Sequence, residues 1–304
     1  MYALILIVLA IILICIITNK YFRMIVTRKT DEEESMYEQQ ISRNLIDKDW
    51  YFNLPKEYIT LISHDGLKLK GEFIDNNSNM TMIFVHGITV SRIWSIKYIK
   101  MFYDRGWNIL LYDQRRHGKS EGVFSTYGYY EKLDLDLWVD FVAERKGKNS
   151  IIGIHGESMG AATALQYIDI NKYADFIIED CGFCSLRELL MRKAKNSSII
   201  LYPFYYFASL EAKLRAKFIF SDIRPIDMVE KSKIPIMFIH GDKDDFVPWD
   251  MSVKMYEAKE IGEKAMYIAK GAAHARAIEV DKSSYEKEVF KFVDKVLSNI
   301  EIEV

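Results

Sequence analysis

The chain opens on an unbroken apolar run, YALILIVLAIILICIIT from Tyr2 to Thr18. As a helix rising ~1.5 Å per residue it spans roughly 25 Å, enough to cross the hydrocarbon core of a bilayer. Charges follow the run (Lys20, Arg23, Arg28, Lys29) instead of preceding it, and no A-x-A site comes after. That order favours an uncleaved transmembrane anchor over residues 1–19, with a signal peptide as the alternative. The basic flank puts the remainder of a single-pass protein on the cytoplasmic side. Residues 20–55 come next, polar from Thr30 to about Pro55, where they carry the acidic run Asp31-Glu32-Glu33-Glu34 and lack a long apolar period. They read as a juxtamembrane linker, a stalk or a helix lying on the domain, without chemistry of their own.

From 56 to 304 the pattern changes. YITLIS and LKLKGEFI, joined by His64-Asp65-Gly66, predict two antiparallel strands and a tight turn. Six short apolar runs follow, MTMIFVH, NILLYD, SIIGIHG, DFIIED, PIMFIHG and AMYIAKG, each ending in polar or glycine residues as buried parallel strands do. Helical spacing lies between and after them, at Tyr130, Leu133, Leu137, Trp138, Phe141 and Val142, and at Tyr285, Val289, Phe292, Val293 and Val296. This predicts an α/β fold with a mostly parallel sheet and helices on both faces. About 50 residues separate the run ending near Asp180 from the one starting near Ile234, far more than an ordinary connection. Residues 185–232 are therefore expected to form an aromatic-rich helical cap before the penultimate strand, walling a pocket at the carboxyl ends of the strands.

Composition narrows the options. With 304 residues, 50% of them hydrophobic and 28% charged, the chain is a folding one. Its 41 basic and 43 acidic residues leave a net charge of -2, without the surplus a nucleic-acid partner would require. Three cysteines, Cys15, Cys181 and Cys184, build no disulfide scaffold, and a zinc site would need a second pair. Cys181-x-x-Cys184 lacks the early βαβ placement of a redox pair, so ordinary packing beneath the cap is expected.

The sharpest chemical signal is Gly156-Glu157-Ser158-Met159-Gly160, between the strand SIIGIH and a helix rich in small residues. In that context G-x-S-x-G is a nucleophile elbow: the glycines allow a strained turn, and the helix N-terminus offers free N–H groups to an oxyanion. A serine hydroxyl needs a base and a carboxylate. PIMFIH runs into a loop holding Asp242, Asp244 and Asp245, and AMYIAKG runs into Ala272-Ala273-His274. Of six histidines, His274 alone follows the last strand, where a base is needed; His155 and His240 read as core or turn histidines and His64 as solvated. His86-Gly87-Ile88-Thr89 supplies the backbone N–H of Ile88 to pair with that of Met159 as an oxyanion hole, with His86 holding the loop.

HGIT, LLYDQRRHGKSEG, GESMGA, HGDKDDFVP and GAAHA occur in this order from about Tyr58 to the C-terminus. Together they resemble the marker segments of α/β-hydrolase serine hydrolases, closest to the BEM46-like and serine-aminopeptidase or lysophospholipase-like branch. The resemblance implies Ser158 as nucleophile, His274 as base and Asp244 as acid, with Asp242 and Asp245 as competing acids. It gives Asp113, Arg115, Gly118 and Ser120 a bracing role, and Ala273 departs from the family's glycine before the histidine.

The reaction implied is hydrolysis through an acyl-enzyme, with no metal or organic cofactor. Cap aromatics and an anchor together suggest a carboxylic ester with an apolar, lipid-like acyl group. Amide or peptide hydrolysis is the alternative within enzymes, and a non-catalytic membrane-tethered binding scaffold the alternative outside them.

Overall fold

In the computed structural model, residues 1–197 and 202–303 are described. The β-branched and aromatic runs form strands β1 (Lys56–Ile62), β2 (Lys68–Ile74), β3 (Met80–Val85), β4 (Asn108–Tyr112), β5 (Ile151–Glu157), β6 (Phe176–Asp180), β7 (Ile236–Gly241) and β8 (Lys264–Ala269). Among the described residues they make one eight-stranded sheet in the order β1-β2-β4-β3-β5-β6-β7-β8. The β1–β2 and β2–β4 pairings are antiparallel and the rest parallel. Gly66, at φ 85°, takes the left-handed position of the first hairpin's turn.

Alternation along each buried strand sends side chains to two separate cores. On β3, Ile83 and Val85 face one and Met82 and Phe84 the other; on β7, Phe238 faces the first and Met237 and Ile239 the second. The first core is closed by Trp138 and Val142 of the helix Glu131–Lys146, by Ala162 and Leu165 of the helix Met159–Tyr167, and by cap residues. The second is closed by Tyr98 and Phe102 of the helix Ile96–Tyr103 and by Tyr285, Val289 and Val293 of the C-terminal helix. Both helical patterns in the sequence thus face a core, one on each side of the sheet.

The interval between β6 and β7 is helical, with Leu186–Ser197, Phe204–Ala216 and Pro225–Lys231; residues 198–201 of the expected cap lie outside the described residues. The N-terminal end differs from expectation. Its helix runs from Tyr2 to Val26, past the boundary at 19, because its last turns have protein to pack on. Side chains are exposed through Ile16, whereas Phe22 and Val26 are completely buried in the first core. The Tyr127 hydroxyl donates to the Ile25 carbonyl at 2.8 Å and the Ser125 N–H to that of Val26 at 2.9 Å. The domain thereby satisfies carbonyls that a helix C-terminus leaves open.

The polar stretch that follows is strapped down as well. Gln40, on the helix Glu33–Ser42, donates to the Ile93 carbonyl at 2.7 Å. Arg92, almost fully buried, contacts Glu33 and Glu72 at 2.7 Å and Asp113 at 2.8 Å. Tyr51 donates to the other oxygen of Glu72 at 2.7 Å. Charged residues that look solvated in sequence are here partners across the chain.

Two outcomes follow for thermal unfolding of the detergent-solubilised chain. Phe22→Ala should cost about 3–5 kcal/mol, as in a well-packed core; an unchanged Tm would mean that residues 20–26 are a free linker after all. Arg92→Met should cost about 3–5 kcal/mol, because it strands the buried carboxylates of Glu72 and Asp113.

Candidate active site

β5 ends at Glu157 and a helix begins at Met159, so one residue, Ser158, makes the whole turn. Its backbone sits at φ 56°, ψ -113°, a conformation costing a non-glycine residue about 1–3 kcal/mol. Space explains the flanking glycines. A Cβ on Gly156 would lie 2.5 Å from the Gly160 carbonyl oxygen, and one on Gly160 would lie 1.9 Å from that of Val85. Met159, first residue of the helix, has an N–H with no intrahelical acceptor.

Ser158, His274 and Asp244, named by the sequence, come together. The Ser158 hydroxyl donates to His274 Nε2 at 2.9 Å, and His274 Nδ1–H donates to Asp244 Oδ2 at 2.6 Å. Asp242 is used differently, accepting from the Gly271 N–H at 2.6 Å, and Asp245 is exposed at the rim of a cavity. Among the three loop carboxylates, Asp244 is the one that reaches the histidine.

Asp244 is held from several directions. Its Oδ1 accepts the N–H groups of Phe246 and Val247, each at 2.8 Å, and its Oδ2 accepts a second histidine, His240 Nε2, at 3.0 Å. Burial alone would raise its pKa, but the hydrogen bonds from His240, His274 and Val247 outweigh burial and hold it well below the usual carboxylate range. His240 continues inward. Its Nδ1 lies 2.7 Å from the Ser252 hydroxyl, which lies 3.2 Å from both oxygens of Glu179. Burial works against the charged imidazole, yet the Asp244 hydrogen bond and the Glu179 and Asp244 charges raise its pKa. Burial pushes Glu179 up to about 7. Sequence reasoning treats His240 as a strand-end histidine; its spacing of four residues before Asp244 in HGDKDD was the available signal.

The loop after β3 is fixed by His86. Its Nδ1–H donates to the Gly87 carbonyl at 2.7 Å while its Nε2 accepts from the Gln114 N–H at 3.0 Å. Ile88, at the tip of this loop, lines the cavities beside Ser158, as does Met159 in one of them. On the far side Lys97 joins Glu157, at 2.7 Å, to the carbonyl of Ala275, at 2.9 Å, tying the residue before the serine to the residue after His274. The expected bracing segment is in place: Ser120 donates to the Asp113 carbonyl at 2.6 Å, Arg115 contacts Asp134 at 2.7 Å, and a Cβ on Gly118 would meet the Asp113 carboxylate at 2.4 Å.

Cys181 and Cys184 are both buried and free. The Cys181 sulfur, Asp244 and His274 offer ligand atoms within 4.8 Å of one another. Burial, then the charges of Asp180 and Glu157, push that thiol's pKa far up, which disfavours the reactive thiolate.

Two cavities meet at Ser158. One, of about 400 Å³, is mainly apolar, with Ile88, Met159, Phe183 and cap residues Leu186, Leu189 and Leu190 in its wall. The other, of about 300 Å³, is bounded by Gly87, Thr89, Trp94 and His274 together with Arg43 and Arg276. The segment to which the sequence assigns no chemistry enters both. Tyr21, Met24 and Ile25 line the apolar cavity, and Arg28 touches each of the two.

Residues 76–231 match the family described as serine aminopeptidase, S33. The Bacillus subtilis protein YqkD is 34% identical over 282 residues, covering 91% of this chain and 92% of its own. Protein bem46 of Schizosaccharomyces pombe is 24% identical over 226 residues, 71% of this chain and 70% of its own. The solved structure of the Pyrococcus furiosus esterase Pf2001 superposes with a TM-score of 0.66 at 27% identity, over 82% of this chain and 94% of that one. The family match, the relatives and the sheet order agree: the chain belongs to the serine aminopeptidase S33 family of α/β hydrolases, in its bem46-like branch.

Proposed function

We propose that this hydrolase cleaves carboxylic esters with an apolar, lipid-like acyl group, using Ser158 as nucleophile, His274 as base and Asp244 as the acid that orients it. The observation that carries the reading is the unbroken line from Asp244 Oδ2 through His274 to Ser158 Oγ, opening on an apolar cavity of about 400 Å³. Ser158 Oγ attacks the ester carbonyl carbon as its proton passes to His274 Nε2. The N–H groups of Ile88 and Met159 receive the oxyanion. His274 then protonates the departing alkoxide, leaving an acyl-enzyme on Ser158. Water, deprotonated by the same nitrogen, attacks that ester, and the carboxylic acid leaves as Ser158 regains its proton.

Charge around the serine favours esters over amino-terminal peptides. An aminopeptidase must hold an ammonium group, but the apolar cavity presents the cations Arg28 and Lys193 against the single carboxylate of Asp245. Like charges this close disfavour a peptide N-terminus. A scaffold without catalysis would have no use for a strained serine in line with a histidine and an ionised aspartate. The helix over Tyr2–Thr18, long and apolar enough to span a bilayer, anchors the domain on the cytoplasmic side, where Lys20, Arg23, Arg28 and Lys29 lie.

A fluorophosphonate probe tests the nucleophile without knowledge of the substrate. Wild-type protein should label, and Ser158→Ala should lose labelling while keeping its Tm; a folded wild type that resists the probe would overturn the reading. For ester turnover, Ser158→Ala or His274→Ala should lower kcat by ~10⁶ and Asp244→Asn by ~10⁴. Asp242→Asn and Asp245→Asn should stay near wild type, and a large loss in either would move the acid away from Asp244.

A further inference from the structure

The cap helix Phe204–Ala216 is apolar on two opposite sides. One side buries Tyr205, Ala208, Ala212 and Ala216, where the helix crosses the N-terminal helix: Arg215 reaches Asn19 at 2.9 Å and lies 4.6 Å from the centre of the Phe22 ring. The other side carries Tyr206, Phe207, Leu210 and Leu214, spaced three and four residues apart on one stripe. They are 52%, 47%, 53% and 65% exposed. Isolated exposed apolar residues need no explanation, but four large ones in a stripe call for an apolar neighbour.

Its position says what that neighbour is. Arg215, near the end of the cap helix, meets Asn19 and Phe22, immediately after the apolar run ends at Thr18. For an anchor spanning the bilayer through Tyr2–Thr18, that is the depth of the lipid headgroups. Lys213 and Lys217 at the end of this helix and Lys20 and Arg23 on the N-terminal helix are exposed, and Glu211, the acidic residue of this helix, is paired with Arg215. An apolar stripe bordered by basic residues is the pattern of a helix lying in an anionic interface.

We infer that Phe204–Ala216 is a second, in-plane membrane contact, with Tyr206, Phe207, Leu210 and Leu214 entering the boundary between headgroups and acyl chains of an anionic bilayer. The inference rests on the reading of Tyr2–Thr18 as a membrane span. It deepens the substrate reading, because the turn of the anchor that this helix packs on also walls the cavity beside Ser158. Two attachments fix the tilt of the domain and hold the cavity near the lipid surface, so a single-chain ester passes from bilayer to serine with little exposure to water.

The test uses the full chain carrying Cys15→Ala and one added cysteine, reconstituted into vesicles of phosphatidylglycerol and phosphatidylcholine. Bimane is attached at Leu210→Cys or Leu214→Cys, with Val8→Cys as the span control and Lys148→Cys as the aqueous control, and the quencher is a doxyl-labelled lipid. Severalfold quenching at 210 and 214, as at 8, with none at 148, is the expected result, and it should weaken when phosphatidylglycerol is omitted. If 210 and 214 behave like 148 while 8 is quenched, the span stands and the in-plane contact is overturned. If 8 is unquenched too, both fall.

Discussion

The helix that follows Ser158 starts against the end of β3 with no room for a side chain, since a methyl group on Gly160 would meet the Val85 carbonyl oxygen at 1.9 Å. That contact forces the turn between β5 and the helix into a single residue and puts Ser158 at a positive φ. It also fixes where the serine stands relative to the loop leaving β3, and so relative to Ile88. Strain in the turn is held by the parallel pairing of β5 with β3 and β6, by the Ser158 N–H bond to the Asp180 carbonyl at 2.8 Å, and by Lys97 bridging Glu157 to the loop of His274. The strain is local and its support is spread over four elements.

A second constraint is electrostatic. Burying the Asp244 carboxylate would favour its neutral form, yet two backbone N–H groups and two histidines keep it ionised. An ionised carboxylate on His274 Nδ1 fixes the imidazole tautomer so that Nε2 faces Ser158, and it stabilises the imidazolium that any proton transfer from the serine creates. His240 makes Asp244 the outer end of a longer line that passes through Ser252 to Glu179. Its function in that line is positioning: it grips the oxygen that His274 also uses.

The strands, both helical patterns and the glycine-flanked serine were legible from sequence because each is written in local spacing, two for buried strands and between three and four for helices. The loop after β7 was legible as acidic, but Asp242, Asp244 and Asp245 differ only in where the chain aims them, which depends on β7 and β8 ending side by side. His240 was misleading for the same reason: a histidine before a glycine at a strand end looks like packing until its partners are known. Least legible were Tyr21, Ile25 and Arg28. They lie more than a hundred residues from Ser158 in a stretch that reads as the start of a juxtamembrane linker, and the cavity they wall exists only once the cap has folded over them.

The most direct test of an activated Ser158 is pre-steady-state hydrolysis of a long-chain p-nitrophenyl ester by the full chain in detergent, with rapid acid quenching and mass analysis of the peptides. The account predicts a stoichiometric burst of nitrophenolate and the acyl mass on the peptide containing Ser158, Met159 and Gly160. Steady release without a burst would leave the first step slow or the serine uninvolved. An acyl mass on any other peptide, or no acyl adduct from folded and active protein, would contradict the central claim.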